Sequence, residues 1–246
     1  MSIASPIQRL LLALLTLSLS TSIARAGLTH RYSFSDPTPK DSVGKIDGKL
    51  KGAAKIADGK LVLANTDKTS ADAALSYLDF GSSLLPKTAS VSLVFWFTAK
   101  DQPAFTRVLD FGSTDNGEGQ AFIYFTPHQD QSDKCRAAIT ATDAGGKTTA
   151  EGDVLDDGKE HMVVIAIDGT AKKIHLFIDG KEPAAAEDLG DNTLDKVKPT
   201  NNWLGRSQFD INPGFTGSIN EFRVYDEALS AAQVTEIQKA GADKLP

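Results

Sequence analysis

Cysteine is almost absent from this chain: Cys135 is the only one among 246 residues. A single cysteine cannot form an internal disulfide, which excludes the small secreted folds that depend on disulfides for stability. Cys135 lies in a strand-like stretch, where a lone thiol is more often part of the packing than a reactive group. Stability must therefore come from a hydrophobic core.

Long apolar runs are also missing. The run Leu10–Leu19 is too short for a membrane-spanning helix, which needs about 20 apolar residues. It follows Arg9 and precedes a small-residue cleavage pattern at positions 24–26, the arrangement that marks a secretory signal. We therefore predict a signal peptide over residues 1–26 and a mature domain over 27–246. We expect no membrane span, and export to the periplasm, the cell envelope or the medium.

The sequence contains no cluster of basic residues. The chain has 26 Lys and Arg against 32 Asp and Glu, and its net charge is −6. Without the two arginines of the predicted signal, the mature domain would carry 24 basic and 32 acidic residues, a net charge of −8. Because proteins bind nucleic acid mainly by neutralising phosphates with Lys and Arg, this composition argues against a nucleic-acid partner.

Alternation of apolar and polar residues is abundant. In Val91–Thr98 the odd positions Val91, Leu93, Phe95 and Phe97 form one apolar face, as the period of two in a strand requires. Further strands are predicted at Leu28–Phe34, Arg107–Phe111, Ala121–Thr126, Arg136–Thr142, His161–Ile167, Ile174–Ile178 and Ile219–Tyr225. Turn glycines follow several of them, at 144–147, 168–169 and 179–180. Short strands at this spacing, with almost no helical pattern, predict an all-β sandwich or barrel.

One helix is predicted, near the C-terminus. Ser230 and Gln233 have the spacing of a capping box, with Ser at the N-cap and Gln at the third helical position. Gly241 suits the C-terminal cap. These signals predict a short helix from Ala231 to about Ala240, and we expect it to close one end of the sandwich.

Six segments taken in order carry a family resemblance over nearly the whole of 27–246. They are His30–Phe34 with Asp41–Gly44, Arg107–Gly112, Asp157–Val164, His175–Lys181, Trp203–Ser207 and Phe215–Tyr225. Together they resemble the LamG-like branch of the concanavalin A-like lectin/glucanase superfamily. The resemblance implies a two-sheet antiparallel jelly-roll sandwich in which the first and last strands are neighbours. It implies much less about function, because this fold hosts lectins, hydrolases, lyases and adhesion modules.

The resemblance also implies a metal site. Many relatives hold one structural calcium ion between the first loop and the last strand, and Asp41, Gly44 and Asn220 match those places. Asn220 stands where an Asp is usual, which removes one negative charge from a site that would bind a hard cation through oxygen ligands. The alternative is that Asp41 only caps a turn through its side chain.

No catalytic set is recognisable. Retaining glycosidases need two carboxyl groups about 5–5.5 Å apart, and the nearest candidate, Glu151–Asp156, is expected to form a solvated acidic turn. Glu221 is expected to share a strand face with Ile219 and Arg223, and to pair with Arg223. Tyr124 and His128 are the pair to consider for a lyase that uses Tyr and His as acid and base. We therefore predict no catalytic residues.

Ligand-binding candidates are the aromatic and arginine side chains that a sugar could meet. Trp96 should point to the outer face of its sheet, as a stacking platform or beneath a covering loop. Trp203 and Arg206 form a second candidate patch. By strand parity Arg107 should not share a face with Asp110, and its default role is a surface ion pair. The predicted ligand-binding set is Trp96, Arg107, Tyr124, Trp203 and Arg206.

These features favour an exported, non-catalytic recognition module that binds a glycan or an extracellular protein surface. One alternative is a polysaccharide-active enzyme, a glycoside hydrolase or lyase, with an unfamiliar site. Another is a purely structural envelope protein. A cleft with two facing carboxylates would favour hydrolysis, whereas a shallow aromatic patch would favour binding. The sequence leaves the oligomeric state open.

Overall fold

The computed structural model describes residues 27–130, 132–141 and 146–246, so the predicted signal peptide and the first two residues of the turn predicted at 144–147 lie outside the described residues. The described chain forms fifteen strands, one α-helix and one short 3-10 helix at Leu194–Lys196. The helix α1 spans Ala231–Ala240. The strands are β1 Leu28–Tyr32, β2 Lys49–Lys51, β3 Lys55–Ala57, β4 Lys60–Leu63, β5 Tyr77–Asp79, β6 Val91–Lys100, β7 Leu109–Asp115, β8 Glu118–Thr126, β9 Lys134–Thr140, β10 Thr148–Asp153, β11 Asp157–Asp168, β12 Lys173–Ile178, β13 Glu187–Asp188, β14 Asn201–Leu204 and β15 Gly217–Tyr225.

The strands form two antiparallel sheets that pack as a sandwich, which confirms the predicted fold class. The eight-stranded sheet has the order β13-β12-β11-β6-β15-β4-β3, and β1 pairs with β15 at the edge that β4 also uses. The seven-stranded sheet has the order β10-β9-β8-β7-β14-β5-β2. Because the neighbours in each sheet are mostly distant in sequence, the chain passes repeatedly between the sheets.

The core lies between the two sheets and is built from the alternating apolar faces. Leu93, Phe95 and Phe97 of β6 point inward from the eight-stranded sheet, as their spacing predicts. Phe111 of β7 and Phe125 of β8 meet them from the other sheet, and the Phe95 and Phe125 ring centroids are 5.3 Å apart. Each buried aromatic side chain of this kind contributes about 1.5–3 kcal/mol of hydrophobic stabilisation.

Cys135 is part of this core. Its side chain is fully buried, and burial raises the pKa of its thiol to about 12. A thiol with that pKa is almost entirely protonated at neutral pH and therefore a poor nucleophile. The expectation that Cys135 serves packing is confirmed.

The two ends of the described chain meet in the eight-stranded sheet. β1 runs antiparallel to β15, with Arg31 opposite Arg223 and Tyr32 opposite Phe222. This pairing confirms the expectation that the first and last strands are neighbours. A β-bulge between Ile219 and Glu221 shifts the register of β15.

The bulge corrects one prediction about faces. Ile219 points into the core, whereas Glu221 lies on the outer face of the sheet with Arg223. Strand parity alone placed Ile219 and Glu221 on the same face, and it failed because the inserted residue of a bulge reverses the alternation.

Helix α1 has the predicted bounds and caps. The Ser230 side chain accepts a hydrogen bond from the Gln233 backbone, and the Gln233 side chain bonds back to the Ser230 backbone. The position of the helix differs from the prediction: Val234 and Ile237 pack on the outer face of the eight-stranded sheet, against Trp96, rather than at one end of the sandwich. No helix in the described part of the chain is long and apolar enough to cross a membrane.

A buried ionic network fixes the C-terminal segment beside this helix. The Glu221 carboxylate is fully buried and accepts hydrogen bonds from Arg31 Nε at 2.8 Å, from Arg223 Nε, and from the backbone N–H of Asp243 at 2.5 Å. Arg223 also donates to the Lys244 carbonyl at 2.7 Å. Burial alone would raise the pKa of Glu221, but the bonds from the two arginines outweigh it and hold the pKa below its usual value.

Replacing Glu221 with Gln tests this network. The change leaves two buried or half-buried guanidinium groups without their carboxylate, and breaking a buried ion pair costs about 3–5 kcal/mol. We expect Glu221→Gln to lower the free energy of unfolding by that amount in urea denaturation. The control is Asp153→Asn, which removes an exposed carboxylate 2.8 Å from Lys134 Nζ and should cost less than about 1 kcal/mol. Equal stability of the two variants would contradict the role given to the network.

Candidate functional site

The outer face of the seven-stranded sheet carries a row of functional side chains. Trp203 on β14 lies opposite Asp110 on β7, and Asp110 lies opposite Tyr124 on β8. Directly opposed residues in antiparallel strands share one sheet face. Trp203 and Tyr124 therefore flank Asp110 on the same surface, two strands and about 10 Å apart at the usual strand spacing.

Arg107 lies over Tyr124. Its guanidinium carbon is 3.8 Å from the Tyr124 ring centroid, a cation–π distance, and its Nη1 donates to the Phe105 carbonyl at 2.9 Å. Arg107 Nε is 3.8 Å from Asp110 Oδ2, which is an ion-pair contact but not a hydrogen bond. The side chain is only 3% exposed.

This arrangement corrects the prediction for Arg107. Strand parity predicted that Arg107 and Asp110 lie on opposite faces and that Arg107 forms a surface ion pair. Arg107 precedes Leu109, the first residue of β7, so strand alternation does not determine its direction. The backbone before the strand turns the guanidinium back over the sheet face. The same segment places the Phe105 ring at the surface.

Asp110 is a buried carboxyl group with one unused oxygen. Its Oδ2 accepts from the backbone N–H of Gln208 at 3.0 Å and contacts Ser207 Oγ at 3.3 Å. Its Oδ1 is buried and has no hydrogen-bond partner among the described residues. Burial raises the pKa of Asp110 to about 7, although the charge of Arg107 opposes this rise.

Two more basic residues lie near Tyr124. Arg136 on β9 donates from Nε (2.7 Å) and Nη2 (2.6 Å) to the same oxygen of Glu151. Lys147, just before β10, is exposed and has no ion-pair partner among the residues that the structure describes. Burial lowers the pKa of Lys147, and the positive charges of Arg107 and Arg136 lower it further. We call Arg107, Asp110, Tyr124, Arg136 and Lys147 the Tyr124 cluster.

A second stack lies at the other end of the row. The Arg206 guanidinium carbon is 4.4 Å from the Trp203 ring centroid and 4.9 Å from that of Tyr77, and Arg206 Nη1 donates to the Tyr77 hydroxyl at 3.0 Å. Arg206 and Tyr77 are half-buried, so the stack reaches solvent. We call Tyr77, Trp203 and Arg206 the Trp203 patch.

Four of the five predicted ligand residues thus share one sheet face, and Trp96 does not. Trp96 points from β6 to the outer face of the eight-stranded sheet, where helix α1 and Arg223 leave it 4% exposed. The helix makes a stacking role for Trp96 impossible in this arrangement. Of the two alternatives, the covered one applies, although the cover is a helix rather than a loop.

Phe105 is a site residue that sequence reasoning missed. Its side chain is 41% exposed, and its backbone has φ of +67°, a left-handed conformation that is costly for a bulky residue. Its carbonyl holds Arg107, so the exposed ring lies at the margin of the Tyr124 cluster. Periodicity gives no signal for such a loop residue; its only hint is an aromatic residue in a short loop after Pro103.

The residues proposed for calcium do not fit that ion as they are arranged. Asp41 Oδ1 accepts from three backbone N–H groups, including Gly44 N at 2.8 Å, and Oδ2 bonds to His30 Nδ1 at 2.6 Å and to Ile46 N at 3.1 Å. Donors therefore occupy the lone pairs that a cation would need.

The other two proposed ligands support the same conclusion. A Cβ at Gly44 would come within 2.5 Å of Asp41 Oδ2, so the glycine lets the loop close on the carboxylate. Asn220 donates from Nδ2 to Glu160 at 3.0 Å. No group of three or more His, Cys, Asp or Glu in the described ranges could hold a metal ion. The contacts match the alternative in which Asp41 caps a turn.

The acidic segment after β9 differs from its prediction. Of the predicted turn Glu151–Asp156, residues 151–153 belong to the edge strand β10, because β9 offers an antiparallel partner, whereas residues 154–156 lie outside any strand. Glu151 and Asp153 share the outer face of β10, and each carboxylate is ion-paired across the ladder, with Arg136 and Lys134 respectively.

Tyr124 and His128, the pair considered for a lyase, are not linked by a hydrogen bond. His128 Nδ1 lies 3.2 Å from Asp156 Oδ2, and the buried Tyr124 hydroxyl makes no hydrogen bond of normal geometry with any described residue. The structure therefore shows no direct acid–base contact between Tyr124 and His128.

A known protein family matches this chain. Residues 72–235 match the Laminin_G_3 family model, described as the concanavalin A-like lectin/glucanases superfamily. The chain belongs to this superfamily. The match confirms the resemblance carried by the six sequence segments. Comparison with curated protein sequences finds no significant match.

Solved structures share the concanavalin A-like fold. Domain 4 of AbnA, a GH43 extracellular arabinanase from Geobacillus stearothermophilus in complex with arabinotriose, is 21% identical over 86% of this chain and 98% of its own, with a TM-score of 0.61. The CBM40 domain of the Ruminococcus gnavus IT-sialidase, bound to alpha2,3 sialyllactose, is 18% identical over 61% of this chain and 83% of its own, with a TM-score of 0.53. Trypanosoma rangeli sialidase is 13% identical over 86% of this chain and 32% of its own, with a TM-score of 0.61. At these identities the likeness shows the fold alone.

Chelation tests the calcium expectation for this concanavalin A-like domain. Because Asp41 is saturated by N–H donors, we expect the same melting temperature with EDTA and with added calcium. A structural ion at about 100 times its dissociation constant would add about 2.7 kcal/mol of stability. A lower melting temperature in EDTA that Asp41→Ala abolished would contradict this and restore the calcium site.

The pH dependence of stability tests the burial of Asp110. Its pKa is about 7 in the folded state against 3.8 for an ordinary Asp, so between these values the folded state keeps a proton that the unfolded state releases. This contribution to stability falls as the pH rises through that window. Asp110→Asn removes it, so the stability of the variant relative to wild type should rise by about 3 kcal/mol from pH 5 to pH 8.

The measurement is thermal or urea unfolding of both proteins at each pH. Asp79→Asn is the matched control, since Asp79 lies opposite Trp203 in the same cross-strand row. Parallel pH profiles for wild type and Asp110→Asn would show that the Asp110 carboxyl titrates normally.

Proposed function

We propose that the protein is an exported, non-catalytic recognition module that binds a glycan on the outer face of its seven-stranded sheet. One observation carries the proposal: side chains from separate parts of the sequence, Tyr77, Phe105, Arg107, Tyr124, Trp203 and Arg206, converge on that face. Carbohydrate sites use aromatic faces for stacking and a few polar groups for orientation. The N-terminal signal pattern supports export.

The two sheets differ in what they offer a ligand. The outer face of the eight-stranded sheet is sealed by helix α1 and an apolar cluster. The outer face of the seven-stranded sheet presents two groups of aromatic and basic side chains in one row, the Tyr124 cluster and the Trp203 patch. A chain of sugar units lying across the strands would meet the members of these groups that reach solvent, because Tyr124 is fully buried and Trp203 is only 7% exposed. The solvent-accessible members are Tyr77, Arg136, Lys147 and Arg206.

The structural neighbours support a glycan over a protein surface as the ligand. One neighbour was solved with arabinotriose and another with sialyllactose. The paired carboxylates Glu151 and Asp153 are each neutralised by a basic residue, and this supports binding over hydrolysis.

Binding to a panel of soluble polysaccharides, followed in affinity gels, tests the proposal. We expect Phe105→Ala to weaken binding of the retained glycan about fivefold, because the loss of one stacking contact costs about 1 kcal/mol. Arg206→Ala should weaken it by a similar factor through the Trp203 patch. Val43→Ala removes an exposed apolar side chain from the first loop and should have no effect.

Three outcomes would contradict the proposal. Retention of no glycan would favour a protein ligand or a structural role. Unchanged binding by both Phe105→Ala and Arg206→Ala would move the site elsewhere. Release of reducing ends that Asp153→Asn abolished would make the protein a hydrolase.

A further inference from the structure

The Tyr124 cluster gathers positive charge in an acidic protein. The chain has a net charge of −6, yet Arg107, Arg136 and Lys147 lie close enough to one another for their charges to interact. Like charges at short range repel, and the positive charges of both arginines depress the pKa of Lys147. The fold therefore assembles a basic site that the linear sequence does not contain.

The negative charge inside the cluster is too small to balance it. Glu151 is engaged by Arg136 alone, through both Nε and Nη2. Asp110 is the other acid, and with its raised pKa it is only partly ionised near neutral pH. Among the described residues of the cluster, three cations therefore face two acidic side chains, and one of these, Glu151, is already paired with Arg136.

A buried donor in the cluster is also unused. The Arg107 side chain is 97% buried. Its Nε is inaccessible to solvent, yet it has no hydrogen-bond partner among the described residues. An unpaired buried donor on a charged group is costly. A guanidinium offers planar, paired N–H donors that match a carboxylate better than a neutral hydroxyl.

Access is from the side of Arg136 and Lys147. The Arg136 side chain is partly exposed and Lys147 is exposed, whereas Arg107 is buried on the Tyr124 ring. The Phe105 backbone carbonyl accepts a hydrogen bond from Arg107 Nη1, and the side chain of Phe105 is exposed. An acidic sugar could place its carboxylate against the cations and its ring against Phe105.

We infer that the glycan bound by this protein carries a carboxylate, as a uronic or sialic acid does, and that Arg136 and Lys147 bind that group while the buried Arg107 adds positive charge to the site. The inference rests on the proposed function and adds the class of ligand. The Trp203 patch lacks this charge, because Arg206 is its only cation and already donates to Tyr77. It suits the neutral part of the same glycan.

Matched pairs of saccharides test the inference on the exported protein. The probes are trigalacturonate against its methyl ester, and sialyllactose against lactose; each pair differs in the acidic group. Calorimetric titration should give at least tenfold tighter binding for the acidic member of at least one pair. That advantage should shrink as salt is added, because exposed charges are screened.

Two variants locate the carboxylate. Lys147→Gln removes an exposed cation that has no ion-pair partner among the described residues, and it should weaken binding of the acidic sugar fivefold to tenfold without changing the neutral one. Arg136→Gln should have a larger effect. The control is Lys134→Gln, the same loss of charge on β9 in an exposed ion pair with Asp153, and it should bind as wild type.

Failure of the inference and of the proposed function can be told apart. Equal affinity for acidic and neutral members, with the variants unchanged, would overturn the inference and leave glycan binding intact. If inorganic sulfate bound to the protein but none of the saccharides did, the cluster would be a simple anion site, and the inference would be overturned. No binding to any probe or polysaccharide would overturn both.

Discussion

The buried Glu221 carboxylate joins three parts of the chain that are distant in sequence or in element order. Arg31 reaches it from the first strand, Arg223 from the last strand, and the backbone of Asp243 from the segment after helix α1. A charge removed from water is tolerated only when its hydrogen-bonding capacity is filled, and here the arginines and an amide fill it. The requirement fixes the β-bulge before Glu221, because only the shifted register turns this side chain toward its partners.

The position of the helix follows from the same network and determines which sheet can bind. With the C-terminal segment held at Glu221, helix α1 covers the outer face of the eight-stranded sheet and buries Trp96. Helix α1, the one α-helix of the described residues, does not cover the opposite sheet. Its outer face is covered in part by the loop after β14, through Ser207 and Gln208, and this loop buries Asp110 while leaving basic and aromatic groups on either side. The sandwich therefore has one sheet face covered by a helix, and the opposite face is the one we propose for glycan binding.

Much of the fold could be predicted because its signals are local. Val91–Thr98 shows clean alternation over eight residues, and Ser230 with Gln233 marks the helix start, so both were predicted with correct faces or caps. The short strands β2 to β5, with β13 and β14, were missed because two to four residues do not establish a period. The acidic residues of the polar edge strand β10 were predicted to form a turn. Their strand conformation depends on pairing with β9, which a local sequence pattern does not show.

The site was less predictable than the fold. Tyr124, Trp203, Arg107 and Arg206 could be chosen by side-chain type, but their convergence depends on the order of β8, β7 and β14 in the sheet, which no local pattern encodes. Arg107 was placed wrongly because parity was extended beyond the end of a strand. Phe105 was not found at all, since its left-handed backbone is imposed by the surrounding loop.

Because the Cys135 thiol is buried in the core, its reaction with a reagent indicates that the two sheets have separated. While the two sheets stay together, the thiol is protonated and inaccessible, so a thiol-specific reagent does not modify it. Once the sheets separate, Cys135 reacts like an ordinary cysteine. The rate of labelling would thus measure how often the sandwich opens under native conditions, with no added probe. In an oxidising compartment the same burial protects the chain from forming mixed disulfides with other proteins as long as it stays folded.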